Sequence, residues 1–269
     1  MANPDRFPEF TPIVFFLRKL TPKQTIPMKK TSLFAALAAL ALTSAGYSAV
    51  LTGSLNTTPP TSVNLTTEGT FDWAIWNIST SLSTPRLPTN TKNGGPQAIS
   101  AISAVGGGSV RGFTQVPTEL YSYTDGKNTP TTLTNSTQNF AANSDLDTLG
   151  RGVSLTITGD PTKVYKVDVW TSGFNATGTL TATLAGATTY SASNSYLASK
   201  TPALFSFTFQ PNSVTDLLNI QYVMTADNGS SAHVGIQAVT IAVVPEPASF
   251  ALLAGGIGYL LCFRRPRRA

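Results

Sequence analysis

The sequence has one cysteine, one histidine and few charged residues, and each shortage removes a class of function. Cys262 stands alone, so no intramolecular disulfide can form and a folded domain must rest on its core. It lies inside an apolar run, where it reads as a small helix residue rather than a palmitoylated thiol. His233 is the only imidazole, and no Gly-x-Ser-x-Gly elbow accompanies it to make a nucleophile with a base. Glycoside hydrolysis needs two facing carboxylates. The closest acids in the middle of the chain are Asp145 and Asp147, two apart in a polar stretch. Gly106-Gly107-Gly108 is followed by no Gly-Lys-Ser/Thr and by no helix signal, so it is a flexible loop and not a phosphate cradle. An amphipathic 3.6-residue pattern is missing from the whole central stretch. These absences argue against an enzyme.

The net charge of +5 invites a nucleic-acid reading until the charges are located. Six Lys/Arg and two acids fall in residues 1–49, and four Arg and one acid in residues 245–269. Residues 50–244 keep eight basic and ten acidic side chains, a net of −2. The basic character belongs to the ends, and the electrostatic case for nucleic-acid binding goes with it.

Both ends carry targeting patterns. Met28 opens a short basic segment, Lys29-Lys30, followed by an apolar run from Leu33 to Leu42 and small residues through Ala45 and Ala49. That order is a secretory signal peptide over residues 28–49, read by the Sec translocon and cut by signal peptidase. Residues 1–27 contain five prolines and look unlike an export signal, so translation is expected to start at Met28. At the other end come Pro245, Glu246 and Pro247, an apolar run to Phe263, and then Arg264, Arg265, Arg267 and Arg268. The prolines hold the peptide around Glu246 extended and accessible. The apolar run suits a single transmembrane helix with a cytoplasmic basic flank. Residues 248–263 give roughly 24 Å of helix against a hydrocarbon core of roughly 30 Å, a gap that arginine snorkelling can close.

Residues 244–269 resemble the PEP-CTERM sorting signal of Gram-negative envelope proteins, in which motif, helix and basic end occur in this order. The resemblance implies processing near Pro245-Glu246-Pro247 by an exosortase, with an inner-membrane precursor delivered to the cell surface or an exopolysaccharide matrix.

Between the ends, residues 50–243 predict an all-β ectodomain. Val153-Leu155-Ile157, Tyr165-Val167-Val169, Leu180-Ala182-Leu184, Phe205-Phe207-Phe209 and Leu218-Ile220-Tyr222-Met224 each alternate with mostly polar residues. Val234 to Ile241 forms the last strand. Phe71 to Ile78 and Ile99 to Val105 are weaker strands. Turns are expected at Gly159-Asp160-Pro161, Ser172-Gly173, Pro211-Asn212 and Asp227-Asn228-Gly229, with a polar loop from Asn135 to Asp147. Short strands at this spacing predict an antiparallel sandwich.

Several segments occur in an order similar to a galactose-binding-like domain of exported bacterial proteins. They are Leu65 to Thr70 with Asp72 to Trp76, Tyr121 to Gly126, Tyr165 to Trp170, and Val234 to Thr240. The resemblance covers about residues 63–242 and implies a jelly-roll sandwich, a fold that by itself specifies no ligand. Ile75 stands where that pattern has a histidine.

Sugar binding would rest on aromatic rings off the core phase. Trp170 falls on the polar phase of its strand with Lys166 and Asp168. Trp73 and Trp76 fall on opposite faces of theirs, so at most one is expected in a core. Tyr121 and Tyr123 share a face beside a turn. These five are the candidate glycan-stacking residues, and the competing reading is that they cover the sandwich ends. Asp145, Asp147 and Asp160 are weak loop candidates for a structural Ca²⁺, and no other cofactor is implied. The function expected is a noncatalytic surface or matrix protein associating with extracellular polysaccharide. The alternatives are a ligand-free structural protein and a carbohydrate-active hydrolase.

Overall fold

The computed structural model describes residues 48–77, 81–113, 119–197 and 202–245. The signal-peptide run, Glu246, Pro247, the apolar tail and its four arginines lie outside the described residues. No helix among the described residues is long and apolar enough to cross a membrane.

Strands dominate, as the alternation predicts, and they form three sheets; numbering follows the chain. The largest is ordered β1 (Val50–Asn56), β14 (Ala203–Gln210), β11 (Val164–Phe174), β16 (His233–Val244), β3 (Asp72–Ile75) and β4 (Asn90–Thr91). At one end of β16, β9 (Phe140–Asn143) pairs with Gly235 and Ile236, and β6 (Val110–Phe113) pairs with β9. The second sheet is ordered β13 (Tyr190–Tyr196), β12 (Ala176–Thr183), β15 (Leu218–Asp227), β10 (Gly152–Ile157) and β5 (Ser103–Val105). Both are antiparallel. The third is small: β2 (Ser62–Asn64), β7 (Leu120–Tyr123) and β8 (Leu133–Thr137), with β2 and β7 parallel. One helical turn, α1 (Leu65–Glu68), follows β2, capped by the Asn64 side chain on the Thr66 and Thr67 amides.

The two large sheets share one core. The apolar phases of β11, β14 and β16 bury Tyr165, Val167, Phe205, Phe207 and Ile241 together with Leu155, Leu180 and Ile220 from β10, β12 and β15. A strand with one face in this core shows the period-two pattern that made these strands visible in the sequence.

The other face of the largest sheet is covered around β3, β16 and the Trp170 end of β11. Trp73, Ile75, Trp170 and Ala238 pack with Val63, Leu65, Tyr121 and Tyr123 of the small sheet and α1 in a second cluster. A bulge in β16 helps to build it. Trp170 pairs with Ala238 and Thr171 with Ile236, so Gln237 is the extra residue. Its side chain accepts from the Tyr121 hydroxyl (3.2 Å) and donates to the Gln138 carbonyl (3.3 Å), tying the outer layer to the sheet.

Three expectations need correction. The stretch Asn135 to Asp147 is not one loop: it holds most of β8 and all of β9. Ser172-Gly173 is not a turn, because β11 stays in register with Gly235 and Val234 through both residues. The chain reverses at Asn175 instead, in a left-handed conformation (φ 45°) that asparagine tolerates. Finally, Trp73 and Trp76 do lie on opposite faces, yet both are core, Trp76 in the main cluster and Trp73 in the second. At β3 the sheet is covered on both sides, so neither ring meets solvent.

Candidate functional site

The five expected stacking rings are all buried. Trp73, Trp76 and Tyr121 have no exposed surface, and Trp170 and Tyr123 keep 3% and 4%. None offers a ring face to a pyranose. Trp170 sits on the polar phase of β11 as expected, but that phase turns under the third layer at this point. Ile75 is likewise buried in the second cluster, so the position that holds histidine in the resembled pattern is an apolar core position here.

What the sequence motifs assemble is a structural joint. Asp125, from the Thr-Asp-Gly segment, accepts from the Trp73 indole (2.9 Å), from the Thr66 hydroxyl (2.5 Å) and from the Lys92 ammonium (2.6 Å). Burial pushes the Asp125 carboxyl up, but the Lys92, Thr66 and Trp73 hydrogen bonds outweigh it and hold the group below its usual range. Asp72, next to Trp73, accepts from the amides of Trp73 and Ala98. Desolvation dominates there and leaves its pKa raised. Residues 66–73, 92–98 and 125 thus meet, across up to 59 positions of sequence, to fasten the outer layer.

Directly before β7 lies a buried acid. Glu119 is 1% exposed, and among the described residues no other residue hydrogen-bonds its carboxylate. Burial raises its pKa to about 7. The Trp170 indole N–H and the Ser172 hydroxyl are also buried without a protein partner.

The remaining chemical candidates are dispersed. Among the described residues no three His, Cys, Asp or Glu side chains come together to hold a metal. Asp145 faces Arg151 (3.4 Å), Asp147 accepts the Ala232 amide, and Asp160 caps its own turn through Thr162. His233 stacks on Phe113 at 3.9 Å, and its Nδ1 meets the Ser231 carbonyl, where a catalytic triad needs a carboxylate.

Among the described residues, the outer face of the second sheet is an open surface with side chains in ordered rows. Its side chains stand in register rows across the strands. One row is Ser103, Ser154, Gln221, Thr181 and Ser191, and the next is Thr156, Asn219 and Thr183. The β12–β13 half satisfies itself: Thr177 bonds Ser195 and Thr179 bonds Ser193, each at 2.8 Å. The β5–β10–β15 half does not. There a groove of about 360 Å³ is lined by Ser100, Ser103, Ser154, Thr156, Asn219 and Gln221, with Pro85 on its rim. Among the described residues, the side chains of Ser103, Ser154, Thr156 and Gln221 have no hydrogen-bond partner. These residues are legible in the sequence as the polar phase of their strands, and none of them is aromatic. In comparison with known proteins, no family model, curated protein or solved structure matches this chain.

Proposed function

We propose that the chain is an exported, noncatalytic protein of the cell surface or extracellular matrix, sorted by an exosortase-type protease and associated with extracellular polysaccharide. The observation that carries this reading is the order at the carboxy-terminal end. The last strand ends at Val244, Pro245 is exposed immediately after it, and Glu246, Pro247, an apolar run and four arginines follow without a spacer. A protease acting at that peptide would release the β unit without cutting into a strand. The net charge of −2 on residues 50–244 leaves the basic character to the two ends, as a membrane-sorted chain requires. We further propose a jelly-roll arrangement for its two large sheets and a transmembrane helix for the apolar run. Burial of all five expected rings favours the second reading, a structural surface protein with no ligand, over stacking on those rings.

The test is expression in an exosortase-bearing host, with intact mass measured on the exported product. Loss of the tail at or near Pro245-Glu246-Pro247 is expected, and Glu246→Ala should leave the tail attached. Recovery of the unmodified chain with its tail in both cases overturns the sorting reading.

A further inference from the structure

We infer that the groove on the outer face of the five-stranded sheet binds a segment of an uncharged, hydroxyl-rich polysaccharide. This inference rests on the extracellular reading only for access to the polymer. Four observations point to that class of ligand. The groove lining contains no charged side chain, so it attracts neither phosphate or uronate nor a cation. Its polar side chains are hydroxyls and amides, which donate and accept at once and therefore match sugar hydroxyls in either role. Ser103, Ser154, Thr156 and Gln221 are left without protein partners, whereas the equivalent positions on β12 and β13 bond one another across strands. Another pocket of about 360 Å³, on the largest sheet, also has hydroxyls, but it carries the Lys166 ammonium, so the uncharged open capacity of the five-stranded sheet lies in the groove. And a volume of about 360 Å³ is at the lower end of ligand-sized clefts.

The register adds geometry. Ser103, Ser154 and Gln221 stand side by side on three neighbouring strands, at the inter-strand spacing of roughly 4.8 Å. Hydroxyls of one sugar ring can reach two such strands, and the groove then orders the chain across the sheet. A protein partner fits less well. Stable protein interfaces have an apolar, often aromatic core, and this lining has no aromatic ring.

Affinity electrophoresis of the full chain in mild detergent tests the inference, with neutral glucan, galactan and mannan polymers and anionic alginate in separate gels. At least one neutral polymer should retard the protein, and alginate should not. Ser154→Ala with Gln221→Ala should weaken the retardation at least fivefold. Thr179→Ala with Ser193→Ala, on the same sheet outside the groove, should leave it unchanged, and thermal melts confirm that both variants are folded. Three results overturn the inference: no retardation across the neutral panel, retardation by alginate alone, or equal loss in both variants. So does a dimer in solution that Gln221→Lys dissociates, because the face is then covered by a second copy. Tail cleavage is scored separately, so binding without cleavage sinks only the sorting reading, and cleavage without binding sinks only this one.

Discussion

At the scale of single residues, Glu119 is the least expected side chain in the fold. A carboxyl buried away from water is costly to ionise, and burial raises its pKa to about 7 from an ordinary 4.5 against the lowering effect of its own backbone N–H. Below pH 4.5 the group is neutral whether the chain is folded or unfolded. Between 4.5 and about 7 the unfolded chain ionises and the folded one does not, so stability falls as pH rises. Above that the loss is complete and constant. The raised pKa corresponds to about 3 kcal/mol. Glu119→Gln keeps the shape and removes the ionisation. Its stability relative to the parent should therefore rise by about 3 kcal/mol between pH 4.5 and 7.5, measured by urea denaturation at each pH. Asp125 acts in the opposite sense, its stabilisation lost as pH falls through its lowered pKa, but it is common to both proteins and cancels in the difference. Parallel curves for the two proteins would show that Glu119 does not titrate in a buried site.

At the scale of elements, close strand approach is set by a glycine that the sequence does not advertise. A Cβ on Gly152 would lie 2.1 Å from the Tyr222 carbonyl oxygen and 2.7 Å from the Val223 Cα, both backbone atoms that no rotamer change can move. Gly152 pairs with Val223 on one side and Val105 on the other. Gly152→Ala must spread β10 from β15, with a cost of about 1–3 kcal/mol. It should lower the melting temperature well beyond Gly150→Ala, whose position has open space around it and only a left-handed φ of 79° to resist the side chain. The strands legible in the sequence were those with one face in the main core and large apolar residues on that face, such as β14 with its three phenylalanines. Others were hidden for opposite reasons. β13 alternates only small residues between its two tyrosines, so its period carries little contrast. β3 and β9 are buried at every position, and a strand covered on both faces has no alternation to find. The same cause misplaced Trp170. Its polar phase was legible, but the layer covering it comes from residues 62–64, 120–123 and 133–137, and local pattern says nothing of a partner that far along the chain.

At the scale of the whole molecule, the largest sheet belongs to two cores at once. Its inner face packs on the second sheet and its outer face on the small sheet, with β3, β11 and β16 contributing side chains to both. Loss of either packing exposes one face of the same three strands, so the outer layer is expected to unfold together with the two large sheets. Trp170 tests this coupling, because it is buried in the second cluster while its strand neighbours Val169 and Val167 are in the first. Trp170→Ala should cost about 3–5 kcal/mol as a large-to-small core change. It should lower a single cooperative transition followed by both near-ultraviolet and far-ultraviolet circular dichroism, with coincident midpoints. Two separated midpoints would mean that the small sheet unfolds independently of the sandwich. Glycan retardation, by contrast, should persist in Trp170→Ala below its melting temperature. The groove lies on the outer face of the other large sheet, with the whole main core between it and this tryptophan.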